Sequence, residues 1–365
     1  SEQVICFASQ LAVISAKSFM PQETVNIRVK AQADEEEKQQ AKEKNEEYAE
    51  NTTGETTEEI TEEKSTATQS TRPVFKSSAK LTDTDRDIKK LIKDYEGKEF
   101  EKGGSLVDRT YKNEGVTDTV GEVRIKNTNK TQVDFKALLN ERADLCVNKK
   151  EPSVLIFHTH TTETYQIDER GYYAADFAPR SESEEVNMVR VGKAICEQLE
   201  KAGYKVIHDT EIHDGTYTGA YAHSRKSAEA YLEKYPSIQV ALDIHRDAIQ
   251  LKDGTKIRPV ATVNGKKAAQ IMIISGCQEE GNGITNLPDW KYNLTFALLL
   301  QKKLEDNFRG ITRPLYFCAR SYNMNLTHCS LLVEMGSDAN TLEQAVYSGK
   351  CLGAALAELL DEHCV

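Results

Sequence analysis

The chain has 365 residues, a formal net charge of −11 and a mean hydropathy of −0.58, enough length for two or three domains. The charge is uneven. Residues 31–72 carry 13 acids and 5 bases, about −8 of the −11, with almost no large aliphatic side chains. The near-neutral remainder has no basic stripe and no interleaving of aromatic with basic residues, which argues against a nucleic-acid partner. Eight cysteines, at 6, 146, 196, 277, 318, 329, 351 and 364, form no CxxC pair and no regular spacing. That excludes a zinc–cysteine site and the dense framework of a small secreted domain. Most read as small buried hydrophobes, and a bond such as Cys318–Cys329 would need the two to be neighbours in space.

Residues 3–20, QVICFASQLAVISAKSFM, are moderately apolar but include Gln10, serines and Lys17. They fall short of the roughly 20 apolar residues that span a bilayer. Two readings stay open, a short amphipathic piece and the outer end of a membrane anchor. The 31–72 stretch cannot bury enough apolar area to offset its backbone entropy, so it reads as a disordered acidic tether. In DTDRDIKKLIKDYEGKEF, Ile88, Leu91, Ile92 and Tyr95 fall at helical spacing. This segment is too polar to stand alone and is expected to continue the linker or to rest loosely on the domain C-terminal to it. The expected division is a membrane-proximal segment over 1–30, an acidic low-complexity linker over 31–120 and the main domain over 121–365.

From 121 the pattern changes. GEVRIKN reads as a strand, DFKALLNERAD as a short helix, and VLIF as a strand of the continuous apolar kind buried on both faces of a parallel sheet. A helix is predicted over 186–203, with Met188, Val191, Ile195 and Leu199 on one face and Gly203 as its stop. KVIHD comes next as a strand, then a helix over 219–235 that ends before Pro236, then the buried strand IQVALDIH. Strands near 256–263 and 270–275, a helix over 290–308, the strand LLVEM and a last helix over 341–362 complete the chain. The alternation predicts an α/β fold, a mostly parallel sheet flanked by helices.

Open α/β sheets bind ligands outside the carboxyl ends of their strands. Three predicted strands end in polar residues there: VLIF in HTHTTETY, VALD in IHRDA and LLV in EMGSDAN. They bring His158, His160, Glu163, Asp243, His245, Arg246, Asp247 and Glu334 to one edge. Imidazoles and carboxylates together suit Zn²⁺, which takes N and O ligands and keeps one position open in catalytic sites. Such a metal polarises a carbonyl and acidifies bound water, and a nearby carboxylate moves the proton. Against this stands the common case in which a strand-end histidine only bonds a backbone carbonyl. His208, His213, His223, His328 and His363 lack the setting of the other three and are read as structural or surface residues.

VLIFHTHTTETY, AYAHSRKSAEAYLEKYPSIQVALDIHRDAI and LLVEMGSDANTLEQA together resemble stage II sporulation protein P, over about residues 120–362. That family belongs to the zinc-dependent N-acetylmuramoyl-L-alanine amidases. The resemblance implies an amidase-like fold, one Zn²⁺ per chain, His160 (not His158) and His245 as ligands and Glu334 as general base and acid. For the third ligand it leaves Glu163, favoured, against Glu184 or Glu185. Arg246 would meet a muramyl or peptide carboxylate, or pair with Asp247. Tyr322 and Asn323 match a Y-N element and would line the substrate groove, although Ser321 stands where the family carries a basic residue and Arg320 comes one position early.

The same resemblance implies cleavage of the N-acetylmuramoyl–L-alanine bond of peptidoglycan during engulfment, and also of peptide cross-links. It further implies an extracytoplasmic location on the mother-cell membrane and the stage II sporulation proteins D and M as partners. A different metallohydrolase and a catalytically silent wall-binding scaffold are the alternatives.

Overall fold

A computed structural model describes residues 81–215 and 218–364. The acidic stretch 31–72 and the segment 1–30 lie outside these residues, as does Cys6. The chain opens with α1 (Arg86–Tyr95), β1 (Lys102–Arg109), β2 (Asp118–Val120), β3 (Val123–Asn127), α2 (Phe135–Leu139) and β4 (Pro152–Phe157). Next come β5 (Tyr172–Ala174), α3 (Met188–Lys201), β6 (Lys205–His208), α4 (Ala220–Lys234) and β7 (Val240–Asp247). The remainder is β8 (Lys256–Val263), β9 (Lys266–Ala269), β10 (Ile271–Gly276), α5 (Trp290–Asn307), β11 (Leu315–Cys318), β12 (Cys329–Ser337) and α6 (Leu342–Asp361).

Eight strands form one sheet in the order β2-β3-β11-β10-β12-β7-β4-β6. Five of its seven pairings are parallel, the exceptions being β2–β3 and β10–β12. This is the predicted α/β architecture, a mostly parallel sheet flanked by helices. The central strands explain it: all eight residues of β7 and all nine of β12 are buried, so both faces must be covered. One face takes α3, α5 and α6 around Val154, Ile156, Val191, Ile195, Leu298 and Leu356. The other takes α4, where Ala228 meets Leu155, Phe157 and Ala241. The side of a strand residue therefore decides which environment it enters.

The turn after β12 is set by side chains. Asn340 Oδ1 accepts from Ser337 N at 2.9 Å, and Thr341 and Gln344 form a reciprocal capping box at the start of α6. A second, four-stranded sheet, β5-β1-β8-β9, lies beside the first. Here the structure departs from the expectation of a linker up to residue 120. Leu106–Arg109 of β1 pair in parallel with Lys256–Pro259 of β8, and Ile88 of α1 is buried in the main core. Leu106 is the sole buried residue of β1, too weak a pattern to read as a strand.

Ion pairs fasten this segment. Asp85 bonds Arg190 of α3 and Lys350 Nζ of α6 (2.7 Å), and Asp87 Oδ2 lies 3.0 Å from Arg190 Nε. No disulfide joins Cys318 to Cys329. Among those residues no helix is long and apolar enough to cross a membrane.

Burial raises the pKa of the Asp85 carboxyl, but its bonds to Lys350 and Arg190 outweigh this and hold it below the usual carboxylate value. A carboxyl whose folded pKa is depressed stabilises the fold above its unfolded pKa and loses that contribution as pH falls through the folded one. Asp85→Asn is expected to cost about 1–2 kcal/mol at neutral pH. In thermal melts at several pH values, the gap between variant and wild type should close below about pH 4.

Candidate active site

β4, β7 and β12 are neighbours, parallel, and end together. The β7–β12 register sets His245 beside Glu334, and the β4–β7 register sets Phe157 beside Asp243. Beyond Phe157 the ladder between β4 and β7 stops and side chains take over. His158 Nδ1 faces Ile244 O at 3.0 Å. Thr159 donates its N–H to Asp243 Oδ1 (2.8 Å) and its hydroxyl to Asp243 Oδ2 (2.6 Å). The freed backbone turns, and the 160–166 loop returns over the end of β7.

This loop brings the predicted residues together. The rings of His160 and His245 lie 5.3 Å apart, nearly perpendicular at 87°. Glu163 Oε2 accepts the Arg246 N–H at 3.3 Å, which seats it next to His245. His160, Glu163, His245 and Glu334 are all buried, whereas Glu184 and Glu185 are exposed on the approach to α3. Geometry thus puts Glu163, of the three candidate acids, beside the imidazoles.

Two aspartates back the site. Asp243 Oδ1 is 2.8 Å from His245 Nε2, although off the axis of its N–H. Asp214, wholly buried, accepts the Thr162 hydroxyl at 2.8 Å, bonds Arg180, and approaches His160 Nδ1 to 3.9 Å. Burial lowers the pKa of the His245 imidazole, but the carboxylates of Asp243, Glu334 and Glu163 outweigh it and hold it up at about 9. The same field of nearby carboxyl groups favours a divalent cation. Two imidazoles with Glu163 form a donor set whose chemistry fits zinc, and Glu334 stands beside His245. As placed, no three His, Cys, Asp or Glu side chains among the described residues close around an ion.

His158 has a different fate. It faces α3, where its Nε2 meets His208 Nε2 at 2.9 Å beneath Gly192. A carbonyl only accepts, so His158 Nδ1 carries the hydrogen toward Ile244 O, and His208 Nε2 must donate to His158 Nε2. Burial pushes both imidazoles down, to about 4 and about 3, so the pair is neutral.

Arg246 and Asn323 were expected to meet substrate, and both are committed within the protein. Arg246, fully buried, donates Nε to Thr164 O (2.9 Å), Nη2 to Pro179 O (2.8 Å) and Nη1 to Asp247 O (3.3 Å). Asp247 in turn pairs with Arg313 at 2.9 Å. Asn323 Nδ2 donates to Tyr221 O at 3.0 Å. Tyr221, to which the sequence assigns no role, lies with its ring against both imidazoles, and Asp214 is likewise silent in the sequence. Neither stands in a motif that chemistry alone would single out.

The family model for stage II sporulation protein P (SpoIIP) matches residues 3–357. The chain belongs to the stage II sporulation protein P family. A curated relative, stage II sporulation protein P of Bacillus subtilis (strain 168), is 27% identical over 218 residues. That match covers 56% of this chain and 50% of the relative, so the chain spans about half the length of the curated relative it matches. Among solved structures, the N-acetylmuramoyl-L-alanine amidase AmiC2 of Nostoc punctiforme is 13% identical with a TM-score of 0.34, covering 60% of this chain and 98% of that one. The CwlD amidase of Clostridioides difficile, solved with the GerS lipoprotein, is 10% identical with a TM-score of 0.36, covering 57% of this chain and 99% of that one.

Two substitutions probe the scaffold of this family member. A Cβ at Gly192 would stand 2.5 Å from Nε2 of both His158 and His208. Gly192→Ala should therefore cost about 1–3 kcal/mol in denaturant unfolding. Arg246→Met removes the donors from three carbonyls and should cost about 3–5 kcal/mol. A loss confined to KM, with the melting temperature unchanged, would instead return Arg246 to the substrate.

Proposed function

We propose that the chain is a peptidoglycan hydrolase of sporulation that cleaves the amide bond between N-acetylmuramic acid and L-alanine, with one Zn²⁺ held by His160, His245 and Glu163. The observation that carries this reading is the buried convergence of those three side chains with Glu334 at the ends of three adjacent parallel strands. Family membership supports the substrate class. When bound, the metal would supply a Lewis acid for the scissile carbonyl and lower the pKa of water toward neutrality.

The chain's own residues account for the remaining steps. Glu334, buried beside His245 in register, takes a proton from the attacking water as the new C–O bond forms. It returns that proton to the amide nitrogen as the C–N bond breaks, so the products are a carboxylic acid and a free amine. The buried 160–166 loop and the aromatic rings of Tyr221 and Tyr322 keep bulk water from the reacting groups. Cleavage of peptide cross-links at the same site belongs to this proposal, since the bond broken is again an amide.

The wider setting is proposed on the resemblance alone. The domain acts outside the cytoplasm, anchored at the mother-cell membrane through its N-terminal segment, with the stage II sporulation proteins D and M as companions.

Elemental analysis of the purified chain, paired with release of soluble material from isolated sacculi, tests the reading. About one zinc per chain is expected, and Glu334→Gln should keep that zinc and wall binding while lowering release by about 10²-fold or more. Release unchanged in Glu334→Gln, or a wild-type chain that takes up no zinc and stays inactive with zinc added, would overturn the hydrolase reading and leave a wall-binding scaffold.

A further inference from the structure

Tyr221 is the second residue of α4 and is 4% exposed. Its ring stands edge-on to His160 (5.8 Å, 84°) and nearly parallel to His245 (6.3 Å, 15°). It thus walls the corner in which the two imidazoles meet. The N-cap of α4 is Gly219, which has no side chain with which to hold the first turn. The hold comes from the 320–326 loop, where Asn323 Nδ2 donates to Tyr221 O (3.0 Å) and to Ser224 Oγ (3.3 Å). Ser224 Oγ lies 2.7 Å from Thr159 Oγ1, and Thr159 bonds Asp243, the carboxylate beside His245. Hydroxyl counting fixes the direction. The one hydroxyl hydrogen of Thr159 goes to Asp243, so Ser224 is the donor in that pair, shares its hydrogen between Thr159 and Tyr221 O (3.2 Å), and accepts from Asn323.

The loop that delivers Asn323 is strained. Tyr322 and Asn323 are consecutive non-glycine residues at φ +41° and +57°, and the other such residue among those described, Asn264, sits between β8 and β9. Two contacts keep the strain in place. The Tyr322 ring stacks on Tyr221 at 5.7 Å and 21°. Gly276 of β10 lets the loop approach so closely that a Cβ there would lie 2.1 Å from Arg320 O.

We propose that Tyr221 is a positioning residue for His160 and His245, and that the left-handed Tyr322–Asn323 turn is the device that holds it. The proposal rests on the reading of the two imidazoles as metal ligands. Imidazoles free to turn about Cβ–Cγ lose that freedom when an ion binds, and the loss weakens affinity. A ring fixed against both removes the freedom beforehand. The ring, which meets both imidazoles, is the part that acts. Asn323 then acts on α4 rather than on substrate.

The test uses the full chain, with Zn²⁺ affinity from chelator competition and the visible spectrum of the Co²⁺-loaded protein as readouts besides activity. Tyr221→Phe keeps the ring and should bind zinc as the wild type does, with the same cobalt spectrum. Tyr221→Leu should weaken zinc by about 10- to 100-fold and shift the cobalt bands. Asn323→Gly relieves the left-handed backbone but deletes the amide, and should move both readouts in the same direction. If Tyr221→Leu does not fold by circular dichroism, Asn323→Gly carries the test. Folded Tyr221→Leu or Asn323→Gly with wild-type affinity and spectrum overturns the proposal, as does Tyr221→Phe as weak as Tyr221→Leu. A wild-type chain that loads neither ion overturns the metal reading and this inference with it, an outcome distinct from loading that is insensitive to Tyr221.

Discussion

Between Phe157 and Asp243 the ladder joining β4 to β7 makes its last pairing, and the next bonds across the gap come from the side chains of His158 and Thr159. That substitution lets the strands part without leaving Ile244 O unsatisfied, and it frees the backbone after residue 158 to turn. The whole site depends on where the chain then goes. The loop crosses the end of β7, His160 and Glu163 come down beside His245, and Arg246 fastens the loop from below through Thr164 O and Pro179 O. A continuous ladder would have carried residues 158–163 onward as strand and sent alternate side chains to opposite faces. The site therefore depends on an interruption in regular structure as much as on the sheet that frames it.

The second constraint is charge. Glu163, Asp243 and Glu334 are buried within one small region, and removing a carboxylate from water costs several kcal/mol unless a positive group answers it. The structure answers with the His245 imidazole, held up at about 9 against its own burial, and with the buried Arg246 guanidinium. Thr159, Thr162 and Arg180 spend their donors on Asp243 and Asp214. Carboxyl groups gathered about His245 make a field that favours positive charge at this point.

The sequence carried much of this, for identifiable reasons. Short apolar runs such as VLIF, bounded by polar residues, fit buried strands, and β4 and β12 form there. Gly203 and Pro236 stop their helices within a residue or two of where periodicity put the ends. The strand ends in turn brought His160, His245 and Glu334 to one edge. What the sequence hid has one common cause, namely contacts between residues far apart in the chain. α1 and β1 look like polar linker until Arg190 and Lys350, more than a hundred residues away, meet Asp85, and β8 supplies a partner strand. Arg246 and Asn323 look like substrate contacts because their types suit that role, and the carbonyls that occupy them cannot be read from neighbours in sequence. That Glu163 lies beside His245 while Glu184 and Glu185 stay exposed likewise depends on the loop folding back.

His158 and His160 make the limit plainest. They stand two apart in the same HTH motif, and strand parity would give them the same face. The turn after Thr159 breaks that parity. His158 stays on the α3 side and is kept neutral by burial against His208 under Gly192. His160 crosses to the α4 side, among carboxylates and against Tyr221. The residue types are identical and the motif is shared, so the difference in role comes wholly from the environment each enters. Gly192 and Tyr221 are the residues that make those environments: one offers no side chain so that two neutral imidazoles can meet, and the other offers a ring against the two that face the acids. Neither has functional chemistry of its own in a sequence scan, yet each sets what its neighbouring histidine can do.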